Sequence, residues 1–296
     1  MADQMAIVGA ACRFPASPDL QTYWTLLAGE GDAIREASEE RWPEPRRPTV
    51  ASGGFLDAIT DFDASAFSMS PVQAAETDPQ QRLMLEVALE ALEDARLGPP
   101  DLQAHDVGVY IGIGASEYDA RFIAPGREVR GLHSGLGNDS SFAAGRIASL
   151  LGLRGPALAI NTACSSALVA IHTALGDLRA GRCPIAVVGA VNLLVVPENS
   201  SRLERMGVLA PDGRCKPFDR AADGYGRAEG AGAVVLATRE TADRLGLRTR
   251  AWLAGAAVNQ DAGETGLTAP NPRAQMAVIA AALDDAGLEP EAIDVI

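Results

Sequence analysis

The sequence has few of the features that mark membrane, secreted or nucleic-acid-binding proteins. No apolar run reaches the roughly eighteen residues of a membrane-spanning helix, and the first residues lack the basic start of a signal peptide. Lysine occurs once, and acidic residues outnumber basic ones by 39 to 25, for a formal net charge of −14. Such a charge does not favour binding to a phosphate backbone or an anionic lipid surface. We therefore expect a cytoplasmic protein that binds neither nucleic acid nor membrane.

Cysteine is also scarce, and its spacing excludes two kinds of site. The cysteines are far apart and form no Cys-x-x-Cys pair. This spacing predicts neither a structural zinc site nor a disulfide framework. The four residues are Cys12, Cys164, Cys183 and Cys215. We expect free thiols and no metal site.

The sequence does contain an alternation of short apolar runs and helical patterns. The apolar runs have the length and β-branched content of buried strands, and they cover residues 5–10, 107–114, 157–163, 185–196, 232–239 and 251–258. Apolar residues at helical spacing predict helices over 19–28, 79–97, 141–151, 164–180 and 272–287. Strands separated by helices indicate an α/β protein with a mainly parallel or mixed sheet covered on both faces.

Two segments differ from this pattern, and one helix has clear end signals. Residues 40–54 are rich in Pro, Arg and Gly and are expected to form an exposed irregular loop. Residues 115–140 lack periodicity and are a candidate cover for a pocket. The helix at 79–97 has Asp78 as its predicted N-cap and Gln81 at the spacing of a capping box, so we expect it to be scaffold.

Cys164 lies where a predicted strand meets the predicted helix that follows it. Free N–H groups and the positive end of the helix dipole favour a thiolate at such a position, and the N–H of Cys164 could face an oxyanion. A free cysteine is also a common small core residue. Position alone therefore supports a nucleophile and a core residue about equally. The other three cysteines lack this placement and are expected to pack.

A nucleophilic cysteine usually needs a histidine, and the three histidines of the chain are poorly placed. His172 follows Cys164 by eight residues on the same predicted helix, a rise of about 12 Å that exceeds hydrogen-bond reach. We expect it to pack among its apolar helix neighbours. His105 in a polar turn and His133 in a glycine-rich loop are expected to have ordinary surface roles.

Two further motifs give weaker signals. GIGASE at 112–117 has two glycines of a dinucleotide-binding fingerprint but Glu117 in place of the third, so a nicotinamide-type site is not expected. The motif FDRAADGYGRAEGAG is expected to be a tight turn that feeds a strand, with Asp219, Asp223 and Glu229 in turn or ion-pair contacts. Loops near the carboxyl ends of strands are where α/β folds tend to place their sites.

Five segments in the same order together resemble the β-ketoacyl synthase domain of type I polyketide synthases. They are IVGAACRFP (7–15), DPQQRLMLEVALEALEDA (78–95), GRIASLLGLRGPALAINTACSSALVAIHTA (145–174), PDGRCKPFDRAADGYGRAEGAG (211–232) and VNQDAGETGLTAPN (258–271). The resemblance implies that Cys164 is the acyl-accepting nucleophile. It also implies a thiolase-like layered fold, with residues 1–250 as a complete first half and 251–296 as the truncated beginning of the second.

The resemblance further implies an activity and its partners. These enzymes transfer an acyl group to the cysteine, then perform a decarboxylative Claisen condensation with a malonyl-type extender on an acyl carrier protein. No cofactor is bound directly, because phosphopantetheine arrives on the carrier protein. The family usually forms homodimers in which the strand before the nucleophile pairs with its copy, so residues 157–163 are the candidate subunit interface.

The chain departs from the family pattern at several positions. Asn161 stands where the nucleophile motif usually has Asp, Ala167 replaces a common Ser, and Glu76-Thr77 stands where Met commonly precedes Asp-Pro. The two catalytic histidines of the family, and a nearby lysine, would follow the last residue of this chain. The resemblance therefore implies a fragment that is inactive alone.

Two other classes of function are weaker hypotheses. The first is a non-catalytic partner, either a chain-length-factor-like subunit or a fragment that only dimerises. Chain-length factors generally lack the nucleophile, so Cys164 argues against them. The second is a cysteine hydrolase or simple acyltransferase, which would need a histidine near Cys164 that the spacing does not supply.

Overall fold

The computed structural model describes residues 4–114, 116–118, 131, 133–261 and 269–296. Its strands are β1 (Met5–Arg13), β2 (Ile34–Glu36), β3 (Ser52–Gly54), β4 (Val107–Ile113), β5 (Ala157–Ile160), β6 (Ile185–Asn192), β7 (Arg227–Ala228), β8 (Gly230–Thr238) and β9 (Ala251–Leu253). Its α-helices are α1 (Leu20–Ala28), α2 (Pro71–Glu76), α3 (Pro79–Asp94), α4 (Pro99–Ala104), α5 (Ser134–Asn138), α6 (Phe142–Leu151), α7 (Ser166–Arg179), α8 (Glu198–Arg205), α9 (Arg239–Leu245) and α10 (Pro272–Ala286). Short 3₁₀ turns cover Ala163–Ser165 and Pro290–Ala292.

A six-stranded mixed sheet is the centre of the fold. Its strand order is β5-β4-β6-β8-β1-β9, in which β5, β4 and β6 are parallel and the other neighbours are antiparallel. Helices α3 and α6 pack on one face and α7 packs on the other. A small second sheet has the order β2-β3-β7. The predicted α/β class, with a mixed sheet covered on both faces, is confirmed.

The central strands contribute to both cores, which explains their continuous apolar sequence. On β6, Val187 packs with α3 and α6, whereas Ala186 and Val188 pack with α7. Successive side chains of a strand point to opposite faces, so a strand covered on both sides needs apolar residues at every position. This is the reason that the apolar runs identify the central strands correctly.

The predicted helices and strands are present, with shorter ends in places. The five predicted helices correspond to α1, α3, α6, α7 and α10, and each apolar run contains a strand. The run at 251–258 is strand only at Ala251–Leu253, where β9 pairs with β1. The remaining helices and strands are short, and several begin at a proline or lie in polar sequence, so periodicity did not predict them. Most of the segment 115–140 lies outside the described residues.

The expectation that residues 157–163 form a buried strand is wrong. β5 is the edge strand of the sheet, and Ala157 and Leu158 on it are exposed. Leu158 retains 42% of its accessible surface. An edge strand can have the same apolar composition as a central one, because composition does not record which strands lie beside it.

The expectation of an exposed loop over residues 40–54 is also wrong in part. Trp42 is only 2% exposed, and its ring lies edge-on against Phe55 with the centroids 5.2 Å apart. The segment ends in β3, whose Gly53 and Gly54 are buried. The proline and arginine content did not reveal this burial, because Trp42 belongs to a cluster that includes the distant Leu194.

The start of α3 confirms one predicted cap and contradicts the other. The Asp78 carboxylate accepts a hydrogen bond from the N–H of Gln80 at 2.8 Å, as an N-cap residue should. Gln81 does not complete a capping box. Its amide instead donates to the carbonyls of Gly137 at 3.0 Å and Asp139 at 3.1 Å, so it ties α3 to a neighbouring loop.

The described ranges contain no helix that is both long and apolar enough to cross a bilayer.

A close contact between β4 and α7 determines where the residues before α7 lie. A Cβ atom at Gly112 would lie 2.9 Å from the carbonyl carbon of Ser166 and 3.0 Å from the nitrogen of Ala167. These separations are shorter than van der Waals contact between heavy atoms. The first turn of α7 can therefore lie directly on the strand only because residue 112 is glycine.

We expect Gly112→Ala to push the start of α7 away from β4 and to lower the free energy of unfolding by about 1–3 kcal/mol. Urea-induced unfolding measures this change. Gly114→Ala is the matched control, because a Cβ at Gly114 would meet no atom of the described residues within 4 Å. Equal stability of the two variants would show that the close contact does not constrain the helix.

Candidate active site

Several loops meet at one edge of the central sheet, next to Cys164. β4, β5 and β6 are parallel, so their carboxyl ends lie at the same edge, and the amino end of the antiparallel β8 lies there too. The described segments that leave or enter these ends are 114 with 116–118, 161–165, 193–197 and 223–229. We call this set of segments the Cys164 edge. It is the position in the sheet where open α/β folds tend to bind ligands.

Cys164 lies in the turn between β5 and α7. β5 ends at Ile160, a 3₁₀ turn covers Ala163–Ser165, and α7 begins at Ser166. The thiol is exposed, so the core-residue alternative is wrong, and the predicted strand-to-helix position is confirmed. Backbone N–H groups at the start of a helix favour an anion in this position.

The other three cysteines divide into two groups. Cys12 and Cys183 are buried, as expected, and burial raises the pKa of both thiols. Cys215 is exposed, which contradicts the expectation that it packs. Its sulfur accepts a hydrogen bond from the N–H of Gly226 at 3.4 Å.

Side-chain hydrogen bonds hold the Cys164 turn in a strained backbone conformation. Ala163 has φ of +55°, a left-handed conformation that costs an ordinary residue about 1–2 kcal/mol. The Asn161 side chain accepts from the N–H of Ala163 at 3.2 Å. The Ser166 hydroxyl donates to the Ala163 carbonyl at 2.7 Å and accepts from the N–H of Thr162 at 2.8 Å. The Ser165 hydroxyl donates to the Thr162 carbonyl at 2.8 Å.

This bonding pattern bears on the chemistry of the turn. Among the described residues, none of the turn's hydrogen bonds uses the N–H of Cys164, which is therefore available as a donor to an oxyanion. Asn161 accepts through its carbonyl oxygen, the same role that a carboxylate oxygen would have. The departure from Asp at this position therefore conserves the hydrogen bond.

The histidines make contacts that do not involve Cys164. His172 is exposed, and its Nδ1 lies 3.2 Å from the carbonyl oxygen of Ala256, so the expectation that it packs among apolar residues is wrong. His105 places Nδ1 2.8 Å from the carbonyl oxygen of Asp101. His133 lines a cleft of about 240 Å³ beside α6.

Glu229 is a buried carboxylate that connects three segments. Its side chain pairs with Arg41 and accepts hydrogen bonds from the N–H groups of Leu56 at 2.8 Å and Leu194 at 2.9 Å. Burial raises the pKa of Glu229, and Arg41 together with the two N–H groups opposes this shift only in part. The ion-pair role predicted for Glu229 is confirmed.

The two aspartates of the same motif also make the expected contacts. Asp223 forms an ion pair with Lys216 at 2.8 Å. The Asp219 carboxylate accepts from the N–H of Ala221 at 2.7 Å in a turn. Both contacts are on the surface and hold the loop that leads to Tyr225 and β7.

Glu117 forms a partly buried ion pair, which sequence reasoning did not anticipate. Its carboxylate lies 3.4 Å from a guanidinium nitrogen of Arg227, and the side chains are 13% and 11% exposed. It also accepts from the N–H of Val196 at 3.2 Å and from the Asn199 side chain at 3.1 Å. Arg227 donates to the Ser200 hydroxyl at 2.6 Å. In sequence Glu117 was only a mismatch to a glycine fingerprint, which carries no sign of this contact.

The chemistry of the described residues does not include a metal centre. In the ranges that the structure covers, no group of three or more His, Cys, Asp or Glu side chains is arranged to hold a metal ion.

The comparisons with known proteins identify the family. Residues 2–242 match the β-ketoacyl synthase N-terminal domain, and residues 250–296 match the β-ketoacyl synthase C-terminal domain. The chain belongs to the β-ketoacyl synthase family. The resemblance seen in the sequence motifs is therefore confirmed.

The relatives of this β-ketoacyl synthase chain include large polyketide synthases. It is 46% identical over 293 residues to erythronolide synthase EryA3 of Saccharopolyspora erythraea, covering 99% of this chain and 9% of the relative. It is 42% identical over 308 residues to pikromycin polyketide synthase component PikAII of Streptomyces venezuelae, covering 99% of this chain and 8% of the relative. The chain thus spans a small part of these curated relatives.

Solved ketosynthase structures share the fold. The ketosynthase from module 6 of the bacillaene synthase of Bacillus subtilis 168 matches with a TM-score of 0.89 at 35% identity, over 98% of this chain and 49% of that chain. The oxazolomycin ketosynthase domain OzmH KS7 of Streptomyces albus JA3453 matches with a TM-score of 0.89 at 34% identity, over 97% and 51%. The thiolase-like layered α/β fold is confirmed.

We expect Arg41→Met to lower the free energy of unfolding by about 3–5 kcal/mol, because it leaves the buried Glu229 carboxylate without its counter-charge. Arg46→Met is the control from the same loop. Arg46 pairs with Glu198 on the surface, so its loss should cost less than about 1 kcal/mol. Urea unfolding of both variants near neutral pH measures the difference. Equal effects would contradict the role assigned to Glu229.

The cost of Arg41→Met should also depend on pH. A carboxyl group whose pKa is raised in the folded protein stabilises the fold at a pH below its pKa in the unfolded chain, here 4.5. That contribution is lost as the pH rises through the pKa of the folded state. Removing Arg41 raises the folded pKa of Glu229 further. The destabilisation should therefore be largest at neutral pH and shrink as the pH falls towards 4.5. A loss that is the same at every pH would contradict this assignment.

Proposed function

We propose that Cys164 is the nucleophile of a polyketide ketosynthase and accepts an acyl group from a thioester. The observation that carries this proposal is the exposed thiol in a strained strand-to-helix turn, in a chain that belongs to the β-ketoacyl synthase family. The thiolate sulfur attacks the thioester carbonyl, and the tetrahedral oxyanion accepts a hydrogen bond from the N–H of Cys164. The carbonyl re-forms as the carrier thiolate leaves and takes up a proton. The products are an acyl-cysteine and a free phosphopantetheine thiol.

The second half-reaction is a decarboxylative Claisen condensation. A malonyl-type extender on an acyl carrier protein loses CO2, and the two electrons of the broken carbon–carbon bond form an enolate. The enolate carbon attacks the acyl-cysteine carbonyl, and the Cys164 thiolate leaves as the β-ketoacyl carrier forms. The overall class of enzyme is an acyltransferase of the 3-oxoacyl-[acyl-carrier-protein] synthase type. The step that the described residues support directly is acylation of Cys164.

The histidines of this chain are not the catalytic bases in this proposal. His172 contacts the carbonyl of Ala256, and His105 that of Asp101, so neither bonds to Cys164. These two contacts support the proposal that neither His172 nor His105 acts as a base for Cys164. We also propose that the chain divides into residues 1–250 and 251–296, and the separate family matches over 2–242 and 250–296 support this division.

The proposed partners follow from the same chemistry. The acyl and malonyl-type groups arrive on the phosphopantetheine arm of an acyl carrier protein, and no cofactor is bound directly. The exposed edge of β5, with Leu158 42% exposed, is our candidate for pairing with a second copy of the chain. A chain-length-factor-like role is not favoured, because Cys164 is present and exposed.

Incubation with an acyl-N-acetylcysteamine thioester should add the mass of the acyl group to the Cys164 peptide. Cys164→Ala should abolish this addition, because no other thiol occupies the start of α7. Cys215→Ala is the matched control, since Cys215 is the other exposed thiol, and it should leave acylation unchanged. Acyl mass that persists after Cys164→Ala, or that appears mainly on Cys215, would contradict the assignment.

A further inference from the structure

The Ser166 hydroxyl bonds to two backbone groups of the turn that carries Cys164. It accepts a hydrogen bond from the N–H of Thr162 at 2.8 Å and donates one to the carbonyl of Ala163 at 2.7 Å. Both distances are those of well-formed hydrogen bonds. One side chain therefore holds the two residues that immediately precede Cys164.

Ser166 itself has a fixed position at the start of α7. The residue is 7% exposed, and its backbone lies so close to β4 that a Cβ at Gly112 would be 2.9 Å from its carbonyl carbon. Its own N–H also donates to the carbonyl of Ala163. Close approach of two backbones leaves little room for either to move. The hydroxyl is thus a fixed point to which the exposed turn is attached.

The carbonyl of Ala163 and the N–H of Cys164 belong to the same peptide group. A trans peptide group is planar, so its C=O and its N–H point in opposite directions. A donor that fixes the direction of the carbonyl therefore also fixes the direction of the N–H. Among the described residues, no hydrogen bond of the turn uses the Cys164 N–H. Ser166 thus acts on this free donor across a single peptide group.

The backbone at Ala163 needs this support. Its φ of +55° is a left-handed conformation that an ordinary residue leaves when nothing holds it. A rotation back to an ordinary conformation would turn the peptide group that follows. The hydroxyl also joins the Thr162 N–H to the Ala163 carbonyl in a chain of hydrogen bonds, and the members of such a chain polarise one another. A polarised carbonyl makes the N–H of the same peptide group a stronger donor.

We propose that Ser166 is a positioning residue for the oxyanion donor. Its hydroxyl holds the carbonyl of Ala163 and so aims the N–H of Cys164 at the oxyanion that forms when Cys164 attacks a thioester. Ser166 neither touches the substrate nor takes a proton from the thiol. The inference rests on the proposed function, because this oxyanion forms only if Cys164 is acylated.

The test compares two reactions of the same thiol. Attack on an acyl-N-acetylcysteamine thioester creates an oxyanion, whereas alkylation by iodoacetamide displaces iodide from a saturated carbon and creates none. Mass spectrometry of the Cys164 peptide gives both rates in each protein. Ser166→Ala should slow acylation about fivefold or more, because the Ser166 N–H alone holds the carbonyl less firmly. Alkylation should stay within about twofold of the starting rate.

Two further variants are compared with Ser166→Ala. Thr173→Val is the matched control, because the Thr173 hydroxyl donates to the carbonyl of Val169 at 2.8 Å on the same helix, away from the turn. Both of its rates should stay within about twofold of the starting protein. Ser165→Ala should slow acylation less than Ser166→Ala, because the Ser165 hydroxyl donates to the Thr162 carbonyl and not to the peptide group of the donor.

A purely structural role of Ser166 gives a different pattern. In that case Ser166→Ala lowers the temperature of thermal unfolding and slows both reactions by a similar factor, or changes neither rate. Either pattern, or an equal loss of acylation in Ser165→Ala, would overturn the proposal. A starting protein that alkylates at Cys164 but accepts no acyl group would contradict the proposed function and this inference together. Unchanged acylation in Ser166→Ala would contradict the inference alone.

Gly112→Ala covers the case in which Ser166→Ala does not fold. The added Cβ displaces the Ser166 backbone from β4 and moves the hydroxyl with it. The proposal predicts that acylation falls at least about threefold more than alkylation in this variant. Circular dichroism establishes that the variant is folded. Equal changes in the two rates would overturn the proposal.

Discussion

The close approach of α7 to β4 at Gly112 is the constraint on which the rest of the site depends. Without a side chain at this position, the first turn of the helix lies directly on the strand. The chain must then pass from the edge strand β5 to the helix in a few residues, and Ala163 adopts a left-handed conformation to do so. Cys164 follows at once and is exposed. Hydroxyl and amide side chains of the turn offset the strain, so the same short segment both distorts the backbone and stabilises the distortion.

The buried Glu229 and the partly buried Glu117 organise the loops around this turn. The segment that follows β6 leaves the sheet, and its N–H groups are satisfied by side chains. The N–H of Leu193 donates to Gln80 at 3.3 Å, that of Leu194 to Glu229, and that of Val196 to Glu117. Each of the two carboxylates is balanced by an arginine. The fold therefore holds its loops with paired charges, and removing one partner of the buried Arg41–Glu229 pair leaves a charge that is costly to bury.

Local sequence patterns were sufficient for much of this structure. The apolar runs and helical spacing predicted the central strands and long helices, and they placed Cys164 between a strand and a helix. The motifs around that residue were sufficient for the family. The contacts that complete the site join distant residues: Arg41 and Glu229 are 188 positions apart, and Glu117 and Arg227 are 110 apart. No local pattern records such pairs. The exposure of β5 was missed for the same reason. The local sequence of a strand does not record whether another strand pairs with each of its two sides.

We propose that the fold presents Cys164 as a reactive nucleophile, and the most direct test compares native and unfolded protein. The rate of iodoacetamide alkylation of each cysteine can be measured at one pH, in buffer and in urea, with Cys215 as the reference for exposure. The account predicts that folding accelerates alkylation of Cys164 relative to Cys215 and protects the buried Cys12 and Cys183. If the ratio of the Cys164 rate to the Cys215 rate is no higher in native protein than in urea, the result contradicts this prediction.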